Sequence, residues 1–255
     1  MNNLKYKLNN GETTFGSWLM TPNHVSAEIM AGNGFDWLVV DCEHTDITLE
    51  SVSKFCLAVR GQSTPLLARV RECDNLAIRQ VLDIGVDGII VPLINNAKEA
   101  ALAVSSAKFP PDGIRGFSFG RSNNWGSNFD EYVTEANNRT VVIVMIESVE
   151  AVENIYEILE VDGIDGVFIG PYDLSGSYGI VGQTSHPTIM AARKRVIDAC
   201  TKTKKSAGIH LLYADHDSIQ TAIQQGFTFI ALDTDVTYIS TGSLRTLTTA
   251  RHMLL

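Results

Sequence analysis

The sequence predicts an α/β protein built as a single (β/α)8 barrel, a TIM barrel, and three observations predict it. Eight short apolar runs recur along the 255 residues. They are continuous rather than alternating, as expected of parallel strands covered by helices or packed inside a closed sheet. Each is followed by a stretch of helical periodicity, with Gly, Pro, Asn and Asp between. No run leads into GxGxxG or GxxxxGK[ST], so a doubly wound nucleotide-binding sheet lacks its usual first turn.

In order, the first run is Phe15 to Met20, and a helix is expected from Val25 to Ala31. Asp36 to Asp41 is the second, followed by a helix from Leu49 to Val59. The third and fourth, Pro65 to Val70 and Gly88 to Leu93, precede helices from Leu76 to Ile84 and Lys98 to Ala107. Thr140 to Glu147 and its helix Val149 to Leu159 form the fifth unit, and Gly166 to Gly170 with Ile189 to Thr203 the sixth. Ser206 to Leu212 pairs with a helix from Asp217 to Gln224, and Phe227 to Asp233 with one from Val236 to Met253. Gly32, Gly85 and Gly226 stand where a helix would end in a left-handed residue. One segment breaks the rhythm: Phe109 to Tyr132 is long and Gly-rich, as functional or mobile loops are. No change of composition, low-complexity tract or internal repeat divides the chain, so residues 1–255 are expected to form one domain.

Composition removes several classes of function. Twenty Lys and Arg against 29 Asp and Glu leave a net charge of −9, which offers no footprint for a phosphate backbone, so nucleic acid is not an expected partner. Cys42, Cys56, Cys73 and Cys200 lack CxxC spacing, and neither disulfides nor structural zinc are expected. The first fourteen residues have no signal-peptide core, and no apolar run reaches the ~20 residues of a membrane span. A cytoplasmic location away from membranes is the expectation.

In such a barrel the chemistry sits at the carboxyl ends of the strands. Glu147 and Asp173 each follow an apolar run. There a carboxylate needs a hydrogen bond, a partner or a cation, and two oxygen donors with open positions suit Mg²⁺ or Mn²⁺. Helix capping is the alternative for each. Gly170-Pro171-Tyr172-Asp173 reads either as an ordinary strand-to-helix turn or as backbone N–H groups that bind a carboxylate. His44, among Asp41, Glu43 and Asp46, is either a general base or a structural histidine, and His210 on the seventh run stays in view. Arg69 inside PLLARV requires an anion. It either pairs with Asp41 or Glu43 or holds a substrate oxygen. Arg115 and Arg121 are expected as exposed candidates for the same anion, and Trp18 and Trp125 either wall the pocket or belong to the core.

Taken together, GFDWLVVDCEHTDITLES, the Arg of LLARV, DIGVDGIIVPLINNAKEA, FPPDGIRG, the Glu of VIVMIES and FIGPYDLSGSYG resemble the HpcH/HpaI class II pyruvate aldolases, from about Phe15 to Gly226. The resemblance implies that Glu147 and Asp173 hold a divalent metal, Mg²⁺ or Mn²⁺ with Co²⁺ as a further candidate. It also implies that His44 acts as base through a water on that metal and that Arg69 contacts the pyruvate oxygen. Asp41 matches the acid beside that site, which would order water or His44, and Gly170, Pro171 and Tyr172 match the cradle of the pyruvate carboxylate. Asp83 matches an aspartate that reaches the histidine of a neighbouring subunit. The family resemblance therefore implies a homo-oligomer, trimer or hexamer, with an exchanged C-terminal helix that the apolar pattern of Leu244 to Leu255 permits. The chain departs from the family in Tyr172, where alanine is common, in Phe117 to Trp125, and in Asp233, where a small residue is usual.

The expected reaction is reversible aldol cleavage of a 4-hydroxy-2-oxo acid to pyruvate and an aldehyde, both small-molecule partners. No lysine ends a run, which argues against a Schiff-base aldolase. The competing readings are a lyase of the same superfamily acting on an acyl-CoA or a dicarboxylic acid, and a non-catalytic protein that binds pyruvate and metal.

Overall fold

The computed structural model describes residues 3–254, so Met1, Asn2 and Leu255, at the ends of the expected domain and of the last apolar pattern, lie outside the described residues. Strands β1 (Thr14–Leu19), β2 (Trp37–Asp41), β3 (Leu66–Arg69), β4 (Gly88–Val91), β5 (Val141–Ile146), β6 (Gly166–Ile169), β7 (Ser206–Leu211) and β8 (Phe229–Thr234) pair in sequence. Parallel pairing of β8 with β1 closes the barrel. The helices are α1 (Asn3–Asn9), α2 (His24–Gly32), α3 (Leu49–Ala58), α4 (Asn75–Ile84), α5 (Ala97–Ala107), α6 (Phe129–Arg139), α7 (Val149–Glu153), α8 (Ile155–Leu159), α9 (Pro171–Ser177), α10 (Pro187–Thr203), α11 (His216–Gln225) and α12 (Asp235–His252). The expected eight-strand barrel is thus present. None of the described helices is long and apolar enough to cross a membrane.

Side chains fill the barrel in the way small parallel barrels require. Trp37, Phe168 and Phe229 meet on its axis, and the rings of Trp37 and Phe229 stack at 3.9 Å. Gly16 makes room for them, because a Cβ there would lie 2.0 Å from the Trp37 ring. From below, α1 inserts Leu4 and Leu8 into the same cluster.

The amino end of the barrel shows a repeat that the sequence reading missed. Gly34-Phe35-Asp36, Gly85-Val86-Asp87 and Gly163-Ile164-Asp165 lead into β2, β4 and β6. Each glycine has positive φ (87°, 113° and 99°), which turns the chain out of the preceding helix. Each aspartate then accepts the amide of a neighbouring odd strand, from Phe15, Leu66 and Val142 at 2.9, 2.9 and 2.8 Å. Lys7 and Lys5 of α1 pair with Asp36 at 2.6 Å and Asp165 at 2.7 Å, so the plugging helix is tied to two of the three repeats.

Several local expectations need correction. Gly85 and Gly226 do end helices in left-handed conformation, but Gly32 lies within α2 and the left-handed residue is Gly34. The helix expected over Val149 to Leu159 breaks at Asn154 into α7 and α8. The segment from Phe109 to Tyr132 contains a 3₁₀ turn (Arg121–Gly126) and the start of α6. It follows α5, which runs back from the carboxyl ends, and so lies at the opposite end of the barrel from the expected site.

Arg115 and Arg121 are therefore not exposed anion binders at the mouth. Arg115 is 1% exposed, donates to Asp83 Oδ1 at 2.8 Å and lies 4.6 Å over the Phe109 ring. Arg121 donates to Ser53 Oγ at 3.1 Å. Trp125 belongs to the same segment and is 70% exposed, away from the mouth of its own barrel.

Candidate active site

At the carboxyl end, register brings Asp41 of β2 beside Arg69 of β3. Asp41 is fully buried. Its carboxylate takes both arms of the guanidinium fork, Nε to Oδ1 at 2.9 Å and Nη2 to Oδ2 at 2.6 Å. Oδ1 also accepts the amides of Glu43 at 3.1 Å and His44 at 3.3 Å, so the turn after β2 folds around this one side chain. The third nitrogen of Arg69, Nη1, lies 3.2 Å from Glu43 Oε2. Both ion pairs weighed for Arg69 are thus present, and they aim it at the mouth as a fixed charge.

Below Arg69, the Trp18 ring lies 4.7 Å from the guanidinium and stacks on His210 at 5.8 Å. His210 Nε2 is 2.9 Å from the carbonyl of Asp233, and burial pushes the His210 pKa down. Trp18 is buried there, between Arg69 and His210. Its buried indole N–H has no hydrogen-bond partner among the described residues.

Across the mouth, Glu147 follows β5 and is 6% exposed. Its Oε1 accepts the amide of Leu93 at 2.7 Å. Its Oε2 faces Gly170, where a Cβ would lie 2.6 Å away, so the glycine is required by this close approach. Capping does not explain Glu147, because Ser148 caps α7 by accepting the Ala151 amide at 3.0 Å. Asp173 stands exposed in the first turn of α9, whose N-cap Gly170 gives no side-chain cap. Tyr172 is exposed beside it, and Pro171 occupies the first helical position.

Burial pushes the Glu147 pKa up to about 7; the Leu93 amide and Arg69 oppose this, and the carboxylates of Glu43 and Asp173 add to it. Burial likewise raises Glu43, against Arg69 and His44, with Asp41 and Asp173 adding to the shift. Glu43, Glu147 and Asp173 follow β2, β5 and β6 at the same end of the barrel, and Arg69, the cation beside Glu43, is also bound to Asp41. By chemistry, carboxylate oxygens such as those of Glu147 and Asp173 suit a divalent cation that takes its remaining ligands from water or substrate. Among the described residues no three His, Cys, Asp or Glu side chains are grouped so as to hold a metal ion.

His44 sits at the rim, its side chain 59% exposed, with Nε2 3.6 Å from Glu43 Oε2. Asp41 holds the backbone of His44 rather than its ring. Asp83 lies near the end of α4, at the amino end of the barrel, and does not join His44 within one chain. Glu43 joins the site through its ion pair with Arg69, a role that DCEH at a strand end allows, while the Leu93 amide is announced by no side-chain pattern.

The sequence profile of the HpcH/HpaI aldolase/citrate lyase family matches residues 14–241. The chain belongs to this family. It is 36% identical to a hydroxypyruvate/pyruvate aldolase of Roseobacter denitrificans, over 92% of either chain. It is 37% identical to a 4-hydroxy-2-oxo-heptane-1,7-dioate aldolase of Salmonella arizonae, over 95% of this chain and 92% of the other. A crystal structure of a family member from Burkholderia cenocepacia superposes with a TM-score of 0.94 at 29% identity, over 98% of this chain and 100% of that one. This family member is a carbon–carbon lyase.

Proposed function

We propose that this lyase is a metal-dependent pyruvate aldolase that reversibly splits a 4-hydroxy-2-oxo acid into pyruvate and an aldehyde. What supports this is the placement of Glu147 and Asp173 after β5 and β6 at the same end of the barrel as Arg69, which Asp41 and Glu43 hold in place. Glu147 and Asp173 would hold Mg²⁺ or Mn²⁺, and Co²⁺ fits the same oxygen donors. When bound, the ion supplies Lewis acidity at the 2-oxo group, which makes that carbonyl an electron sink.

The chain's own residues supply the rest. Arg69, locked by Asp41 and braced on Trp18, presents positive charge where the enolate oxygen develops. Amides at the start of α9, past Gly170 and Pro171, orient the substrate carboxylate. His44, open to solvent at the rim, takes the proton of the C4 hydroxyl through water as the C3–C4 bond breaks and its electron pair passes into the enolate. Protonation at C3 then gives pyruvate, and the former C4 leaves as the aldehyde carbon.

The working unit is a homo-oligomer, trimer or hexamer, of one-domain barrels that exchange α12. Asp83 reaches a histidine only across subunits, because His44 and Asp83 stand at opposite ends of their own barrel. The experiment is direct. Purified protein should release pyruvate from 4-hydroxy-2-oxo acids, chelator should abolish release, and borohydride with pyruvate should trap no adduct. A borohydride-trapped lysine adduct, or full activity in EDTA, overturns the proposal.

A further inference from the structure

We infer that Asn95 is a positioning residue of the metal site: it holds the backbone of Leu93 so that the Leu93 amide fixes the carboxylate of Glu147 for a divalent cation. This deepens the metal-dependent aldolase reading and rests on it. The Leu93 amide, 2.7 Å from Oε1, gives the one hydrogen bond that the Glu147 side chain receives among the described residues. Its position therefore decides how the carboxylate is turned.

Leu93 does not stay in place by itself. Its φ of 55° is left-handed, which a residue with a Cβ rarely adopts, and at 60% exposure its side chain gains little from burial. Asn95 supplies the hold that burial does not. Its Nδ2 donates to the Leu93 carbonyl at 3.1 Å, and its Oδ1 accepts from the Ser148 hydroxyl. The opposite amide orientation would set Oδ1 against the Leu93 carbonyl, acceptor to acceptor, so this is the orientation that satisfies both contacts. Ser148 directly follows Glu147. A closed circuit thus runs from Glu147 through the Leu93 amide, the Asn95 side chain and Ser148 back to Glu147.

The clamp is anchored on both neighbouring elements. The Asn95 amide donates to Glu99 Oε2 of α5 at 2.7 Å, and the Asn95 carbonyl accepts Asn154 Nδ2 at 2.9 Å. Asn154 is the residue at which α7 gives way to α8, so the helix break sets a side-chain amide where the loop after β4 uses one. With its side chain and backbone all engaged, Asn95 does not shift without moving Leu93, and Leu93 does not shift without releasing Glu147.

Calorimetry with Mg²⁺ alone on the purified protein tests this. Asn95→Ala should weaken Mg²⁺ affinity ~tenfold or more, the range that loss of a group orienting a metal ligand produces. Pyruvate release should then need correspondingly more Mg²⁺, while kcat at saturating Mg²⁺ stays within ~twofold of wild type. Asn154→Ala, which frees the far side of the clamp, should weaken Mg²⁺ severalfold, and it reads the same quantity if Asn95→Ala does not fold by circular dichroism. In either background Leu93→Gly should restore most of the lost affinity, because glycine holds a left-handed φ without a clamp. Unchanged Mg²⁺ affinity in the folded variants overturns the inference, as does a loss that Leu93→Gly fails to repair; both leave the aldolase reading standing. A wild-type protein that binds no Mg²⁺, or whose affinity survives Glu147→Gln, overturns the metal site itself and this inference with it.

Discussion

At the scale of the residue, Glu147 is the candidate ligand most withdrawn from water, at 6% exposure. Its carboxyl is protonated in folded and unfolded chains alike below its ordinary value of 4.5, and in the folded chain it ionises only near 7. The metal-free protein should therefore lose stability as pH rises from about 4.5 to 7 and not regain it above. The full loss is ~3 kcal/mol, because the unfolded chain gives up that proton first. Thermal melts between pH 5 and 8 check this: Glu147→Gln should flatten the decline, and Mg²⁺ should raise the wild-type Tm more at pH 8 than at pH 5. A flat wild-type profile would contradict the burial assigned to this carboxyl.

Arg69 gives a second prediction at the same scale. Arg69→Lys keeps the charge but loses the planar fork that Asp41 grips. Pyruvate release should fall ~100-fold or more, with metal affinity by calorimetry little changed. Loss of metal affinity would show that the pair builds the cation site instead.

Elements were legible from the sequence wherever a strand or an amphipathic helix had to bury an apolar face. The eight strands fall where the runs lie because each must be covered on both sides. Helices α6 and α9 escaped because FDEYVTEANNR and PYDLSGS hold few apolar residues in register, and α1 because its anchoring depends on Leu4, Lys5, Lys7 and Leu8 meeting the closed barrel. The long segment after α5 was misplaced for a different reason. Its length suggested function, although any chain leaving a helix of a (β/α)8 barrel returns to the amino end, away from the catalytic mouth. Candidate site residues that follow strands, such as Glu147 and Asp173, were legible by the same connectivity, while the Leu93 and Gly170 contacts depend on backbone approach that residue types do not reveal. The repeated aspartates also make a prediction at this scale. Asp165→Ala removes the acceptor of the Val142 amide and leaves the largely buried Lys5 without its carboxylate. It should cost ~3 kcal/mol in urea unfolding, whereas the exposed Asp198→Ala, which breaks only an i,i+4 pair, should cost less than ~0.5 kcal/mol. Equal costs would mean that the repeat is not a structural fastener.

At the scale of the whole molecule, one element is unfinished. Helix α12 has 18 residues, and Asp235 alone is buried among those described in it. Its sequence is rich in threonine and contains Gly242, a composition that holds a helix poorly in isolation. Yet Val236, Ile239, Leu244 and Leu247 stand exposed along it, and Val25, Ile29, Phe35 and Tyr238 line a groove of about 670 Å³ beside its start. An apolar helix without cover next to an apolar groove without an occupant is the arrangement that exchange between two copies satisfies. Light scattering should give a mass several times that of one chain, and Leu244→Arg with Leu247→Arg should reduce it and make Tm depend on protein concentration. Because Asp83 is proposed to act on a histidine of another subunit, the dissociated variant should lose aldol cleavage while still binding Mg²⁺ through Glu147 and Asp173. A variant that keeps the full mass would show that α12 is not exchanged, and a dissociated variant that keeps full activity would show that each barrel works alone.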